Sequence, residues 1–351
     1  MTGFQRYTLP MHPIPQPIPE WRDVDARVFH EQILPLHRPA VMRGVVRDWP
    51  VVAHALTSPE AVGGYLKSFD SGVDVNAIMT PPAAQGLVTY SDDVSAFSFV
   101  RNRLPISSII DQLMRYLPAG VRAPALAAQS AVIAECLPGF LTENQLPLLG
   151  PEVRPRIWLG NHITVPAHFD EAQNIAACVS GRRRFTLFPP EQVGNLYVGP
   201  LDYTPAGAPI SMASRAQPDF DKYPRFRDAL AAAQVAELEP GDAIYIPAIW
   251  WHQVESIGHL NILVNYWWGG SHTANDRSMS PSNALMHCLL NMKDLEPQVL
   301  QAWWAIFEHF VFNSDPQRLA HIPEQRRGAL GAMSPEEVRR FKDVLIAQLQ
   351  K

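Results

Sequence analysis

The sequence predicts a mainly β protein, a sandwich or barrel with helical flanks, and three observations predict it. From about Arg156 to Gly270 the chain carries short runs rich in β-branched and aromatic residues: RIWLG, HITVPAHFD, NIAACVSG, RRFTLFPP, DAIYIPAIWW and LNILVNYWW. Gly, Pro and Asp bound these runs, and no helical pattern alternates with them, which argues against βαβ units. On either side of that region, apolar residues recur instead at helical spacing.

The elements follow in order. The first ~20 residues, with prolines from Pro13 to Pro19, read as an extended arm, because proline favours polyproline and turn conformations. Ala40 to Met42 is a short strand-like run ended by Gly44. Pro105 to Leu117 places Ile106, Ile109, Ile110, Leu113, Met114 and Leu117 on one face of a core-facing helix. Within the β region, Val198 to Ala236 contains Pro200, Pro205, Pro209, Pro218 and Pro224 and reads as a long insertion over the barrel mouth. After Ser280 the pattern is helical again: Leu285, Leu289 and Met292 mark one face, and Leu300, Trp303, Trp304, Phe307, Phe310 and Val311 a wider one. The last helix starts at Ser334-Pro335-Glu336-Glu337, a capping box with proline at the first helical position. Its stripe of Val338, Phe341, Leu345 and Leu349 must pack on the barrel or on a second copy of the chain. The expected organisation is an N-terminal region (1–150), a barrel (151–275, insertion 198–236) and C-terminal helices (276–351).

Composition narrows the function classes. With 47% hydrophobic and 18% charged residues in 351, the chain has the make-up of an ordinary globular protein. The formal charge of -5, with no long Lys/Arg run, does not indicate nucleic acid. Cys136, Cys178 and Cys288 show no metal-type spacing and suggest neither a zinc ribbon nor a disulfide framework. No signal-peptide pattern and no run of ~18 apolar residues occurs, so the expectation is a cytoplasmic protein without a membrane span.

The chemistry-bearing residues lie in the β region. Side chains alternate along a strand, so His168 and Asp170 share a face about 7 Å apart at Cα, within reach of one ion. A further histidine would complete the two-histidine, one-carboxylate triad, which leaves adjacent metal positions open. Alone, His-x-Asp is a weak signal among 12 histidines and 34 acidic residues, and a solvent-facing pair is the alternative. The segment EPGDAIYIPAIWWHQVES supplies the candidate: a Pro-Gly-Asp turn feeds a strand, and His252 follows Trp250-Trp251. The alternative for His252 is a core-edge histidine beside two tryptophans.

Taken together, Pro166-Ala167-His168-Phe169-Asp170, Phe188-Pro189-Pro190, Pro240-Gly241-Asp242 with Tyr245-Ile246-Pro247, and Trp250-Trp251-His252 resemble the cupin-like JmjC oxygenases, in particular their asparaginyl-hydroxylase branch. The resemblance is densest from Trp158 to Gly270, and Arg38 to Pro50 and Leu137-Pro138-Gly139 also fit it. It implies a double-stranded β-helix (jelly-roll/cupin) that binds Fe(II) and 2-oxoglutarate and consumes O2. The implied reaction releases succinate and CO2 while hydroxylating a C–H bond. His168, Asp170 and His252 would take the metal, with Asn174 and Asn265 near the cosubstrate. The family's lysine for the distal cosubstrate carboxylate corresponds to Arg183, whose fork can also grip a carboxylate. Strand alternation leaves Arg182 and Arg184 at the surface. Val165 stands where the family has a threonine, with Thr164 adjacent, and Gln129 lies where a cosubstrate-binding tyrosine is expected.

The activity expected is a hydroxylase of a protein or peptide side chain, or of a small molecule. A cupin-fold metal or ligand binder without turnover, and an N-methyl demethylase, are the alternatives. Trp250, Trp251, Trp267 and Trp268 read as core and rim. The resemblance also implies a homodimer through the C-terminal helices.

Overall fold

The computed structural model describes residues 15–216, 218–269 and 280–350. Residues 1–14 of the arm expected over the first ~20 residues, and the boundary expected at 275/276, lie outside the described residues. Among these, twelve strands join in one mixed sheet: β1 (Gln16–Pro17), β2 (Glu20–Arg22), β3 (Ala40–Arg43), β4 (Val75–Thr80), β5 (Val100–Leu104), β6 (Ala125–Val132), β7 (Arg156–Gly160), β8 (Thr164–His168), β9 (Gln173–Phe188), β10 (Gln234–Leu238), β11 (Ala243–Ile246) and β12 (Trp251–Trp268). Helices flank this mainly β core.

Two long strands organise it. β9 and β12 are antiparallel partners from Gln173↔Trp268 to Phe188↔Trp251. The half of the pair nearer Gln173 carries β11 on one side and β7 on the other, and the half nearer Phe188 carries β10 and β8. The same two strands therefore serve both walls of a jelly roll. They change walls where the register slips between Ile257 and Ile262 and where Gly181 adopts φ +69°. A Cβ on Gly181 would lie 2.4 Å from Asn261 Oδ1 and 2.8 Å from Leu260 O, so the bend needs glycine. The sequence runs NIAACVSG and RRFTLFPP, expected as separate strands, are thus two halves of β9. The bend at Gly181 turns the chain without ending its pairing.

Between the walls, Val41, Ala176, Cys178, Phe185, Leu187, Ile244, Ile246, Val254 and Leu263 pack as one apolar cluster. A larger cluster joins Phe29, Val51, Leu66 and Ile109 to Ile157, Val179 and Val264, so the N-terminal helices share a core with the outer face of the barrel. The helix expected from Pro105 onward runs over Ile106–Tyr116 and buries Ile106, Ile109, Ile110 and Leu113. The insertion is shorter than 198–236. Gln234 already opens β10, because its register with Leu187 extends the barrel wall. Val198 bridges Ser211, and the Ser211 amide donates to Ala167 O at 2.7 Å, laying this ribbon along the outer edge of β8.

Residues from Ser280 form a second compact unit. Its helices Pro281–Met292, Pro297–Phe307 and Pro335–Leu349 bury no side chain. The expected capping box is present: Ser334 Oγ accepts from the Glu337 amide, and Glu337 accepts from the Ser334 amide. None of the described helices is long and apolar enough to cross a membrane.

Candidate metal centre

The mouth of the jelly roll gathers His168, Asp170 and His252, with one ligand atom from each lying within 4.8 Å of the others. His168 ends β8 and faces His252 directly across the β8–β12 ladder, their rings 4.3 Å apart between centroids. Asp170 differs from its expected place. The strand stops at His168, and Asp170 sits in the turn toward β9, where its carbonyl accepts the Ile249 amide at 2.8 Å. That bond ties the Asp170 turn to the corner that leads into His252.

Both imidazoles are oriented by the backbone. His168 Nδ1 lies 2.9 Å from Pro166 O, and His252 Nδ1 lies 2.9 Å from Trp250 O. A carbonyl oxygen can only accept, so each Nδ1 carries a proton, and in the neutral tautomer that this selects, the lone pair lies on Nε2. Burial, and then repulsion from His168, holds His252 down at about 4, well below the ordinary imidazole range, against an opposing pull from Asp170. The 3.6 Å approach of His252 Nε2 to Asp170 Oδ2 is thus a neutral ring beside a carboxylate at neutral pH. Two Nε2 lone pairs and a carboxylate converging in this way form a donor set suited to a divalent transition metal.

Around the carboxylate, Trp267 Nε1 donates to Asp170 Oδ2 at 2.9 Å, and Asn174 Nδ2 reaches the same oxygen at 3.4 Å. Asn265 Nδ2 in turn donates to Asn174 Oδ1 at 3.0 Å. The two asparagines, expected near a cosubstrate, are in the structure linked to each other and to Asp170. Trp267 was expected in the core or rim. The signal that could have found it is its position two residues after Asn265, on the same face of β12.

Arg183 lies deep between the walls, on the same side of β9 as Phe185 and Leu187, and is only 6% exposed. Among the described residues no carboxylate lies within ion-pair distance of it, and its Nε has no hydrogen-bond partner. Burial pulls its pKa down to about 10. Its neighbours behave otherwise: Arg184 pairs with Glu237 and Glu255, and Arg182 with Glu237, on the outer face. A buried guanidinium without a counter-ion is the fit expected for an anionic ligand entering the barrel.

Of the two remaining sequence candidates, Thr164 points away from this centre. Thr164 is paired with Glu255, whose carboxylate meets Arg184 and Arg215 outside the barrel, so Thr164 takes the outer face. The cause is a bulge: the β8–β12 register slips between His252 and Val254, which puts Val165 rather than Pro166 opposite Val254 and so turns Thr164 to the face opposite that of His168. Gln129 sits half-buried where the β6–β7 register slips between Ala128 and Ala131.

Residues 25–274 match the family described as "Cupin-like domain". The chain is 27% identical over 270 residues to "Lysine-specific demethylase JMJ31" of Arabidopsis thaliana, covering 68% of this chain and 47% of that protein. It is 24% identical over 246 residues to "Lysine-specific demethylase 8" of Xenopus tropicalis, covering 68% and 50%. Against "tRNA wybutosine-synthesizing protein 5" of Mus musculus it is 35% identical over 101 residues, 29% of each. The chain spans half or less of the length of these curated relatives.

Proposed function

This chain belongs to the cupin-like family, and on that premise we propose that it is an Fe(II)- and 2-oxoglutarate-dependent oxygenase that hydroxylates a C–H bond of a protein side chain or a small molecule. The observation that carries the reading is the convergence of His168, Asp170 and His252 with both Nε2 atoms presented to one point. In this role the three side chains would hold iron, which would supply O2 activation with 2-oxoglutarate as the reductant, one oxygen atom ending in succinate (formed with CO2) and the other in the substrate. Arg183 offers the buried cation for the distal cosubstrate carboxylate, and the apolar wall around it excludes water. The likeness to the asparaginyl-hydroxylase branch rests on the sequence motifs alone.

The names of two relatives favour a second reading, N-methyl demethylation. It starts with the same hydroxylation, at an N-methyl carbon, and ends with loss of formaldehyde. Anaerobically iron-loaded protein, exposed to O2 and 2-oxoglutarate, is expected to form succinate, and Asp170→Ala to form none. Equal, background-level succinate from both would leave a metal-binding cupin without turnover and sink the proposal. Formaldehyde release from a methylated-peptide panel separates the two reactions.

The exposed apolar face of the C-terminal unit supports a homodimer as part of the same proposal. Leu290, Trp304, Val311 and Phe312 are each more than half exposed, and large apolar side chains exposed in this number within one unit are consistent with an interaction surface.

A further inference from the structure

Trp267 and His252 stand at opposite ends of β12, yet both reach Asp170 Oδ2. They meet because the β9–β12 pair bends back on itself between its halves. Trp267 lies directly across the ladder from Asn174, and Asn265 precedes it on the same face. One oxygen of Asp170 thus receives an indole N–H and an amide N–H from a single cross-strand pair.

The polarity of this network is fixed by its end. An ionised carboxylate only accepts, so Asn174 must turn its amide nitrogen to Asp170 and its oxygen to Asn265. Asn265 must then donate to Asn174, which leaves its own Oδ1 buried and without a partner. The indole is the stronger anchor, since its contact of 2.9 Å is shorter than the amide's 3.4 Å and it has no acceptor capacity with which to flip. With Oδ2 held in this way, the carboxylate plane cannot rotate without breaking a charge-assisted bond.

We infer that Trp267 is a positioning residue for the metal, fixing the rotamer of Asp170 through its indole N–H, with the Asn265–Asn174 relay as a second brace. The inference rests on the proposed metal-binding reading of His168, Asp170 and His252. Groups that orient a metal ligand in this way typically contribute 10–100-fold to metal affinity. Trp267→Phe keeps an aromatic ring at a half-buried position and removes the donor.

The test is titration of the metal-free full chain with Co(II), read both as affinity and as the visible d–d absorption of the bound ion. Wild type is expected to bind one Co(II). Trp267→Phe should bind about tenfold more weakly and with a shifted absorption band, because the carboxylate can change its mode of ligation. Asn265→Ala, which leaves the indole in place, should weaken binding less and keep the wild-type band. Equal affinity and an unchanged spectrum in Trp267→Phe would overturn the inference alone, and no uptake by wild type would overturn it together with the metal-site reading. A circular dichroism melt matching wild type shows that the variant is folded. If Trp267→Phe does not fold, wild type carrying the benzothiophene analogue of tryptophan at 267, which has the same shape but no N–H, gives the same readings with the same two outcomes.

Discussion

The helix Ile106–Tyr116 and the helix Pro297–Phe307 carry apolar stripes of the same kind and meet opposite fates. The first buries Ile106, Ile109, Ile110 and Leu113 in the core it shares with the outer face of the barrel. The second buries nothing, and Trp304 on it is 64% exposed. Periodicity reports that a face must be covered, and is silent on what covers it. In the unit up to residue 279 the cover is the chain's own sheet. In the unit from Ser280 we propose that it is a second copy.

Substitutions at matched apolar positions would break this comparison or sharpen it. Ile109→Ala should cost about 2–5 kcal/mol, the range for truncating a fully buried aliphatic residue, measured as the shift in a chemical denaturation midpoint. Leu290→Ala, at a position 73% exposed, should change the unfolding free energy of an isolated chain by less than about 0.5 kcal/mol. Its effect should appear instead in association: Leu290→Ala combined with Trp304→Glu is expected to turn a dimer into a monomer by light scattering at micromolar concentration. A wild-type monomer under those conditions would remove the proposed cover and leave the C-terminal stripe unexplained.

Among the described residues Arg183 is the one buried Lys or Arg side chain, set among the apolar side chains of the barrel. Replacing a buried ion pair by hydrophobes of similar volume is often neutral or stabilising by about 1–4 kcal/mol, and a guanidinium buried without a counter-ion has no pairing energy to lose. Arg183→Met is therefore expected to raise the melting temperature of the ligand-free protein. The same variant should lose the thermal stabilisation that added 2-oxoglutarate gives to wild type. Stabilities moving in opposite directions with and without cosubstrate distinguish a ligand-binding cation from a structural one. A variant that is destabilised in both states would mean that Arg183 serves the fold.

Much of this was legible in the sequence, and what was not has identifiable physical causes. The β core, the Ile106–Tyr116 helix and the Ser334 capping box follow from alternation, helical spacing and cap chemistry, all local. The inward turn of Arg183 between two surface arginines also follows from alternation. Alternation failed at bulges, where one extra residue reverses every later side chain, so that Val165 and not Pro166 lies opposite Val254. It failed again at Asp170, which a turn rather than a strand brings to the two histidines. Trp267 was missed because its partner lies far along the chain and is reached only through the pairing of β12 with β9, which sets Trp267 across from Asn174, a tertiary feature with no local periodicity.

The smallest effect compares the same cap in the two units. Ser58 accepts from the Ala61 amide at 3.1 Å to start the helix Pro59–Lys67, which buries Val62 and Leu66. Ser334 performs the same task for Pro335–Leu349, which buries no residue. Either serine replaced by alanine should lose roughly 1 kcal/mol, the usual worth of an N-cap. The loss should be distributed differently, though. At Ser58 the packed face holds the first turn in place, so Ser58→Ala should lower global stability while amides of Pro59–Lys67 keep exchanging through global unfolding. At Ser334 local terms hold the first turn, and 1 kcal/mol is about fivefold in its opening equilibrium. Hydrogen exchange should then show Ser334→Ala accelerating the Val338 amide, which bonds to Ser334 O, by about fivefold, with the global melt unchanged. Equal behaviour of the two helices would mean that the C-terminal one is already packed, by a second copy or otherwise, and would carry the comparison back to its cover.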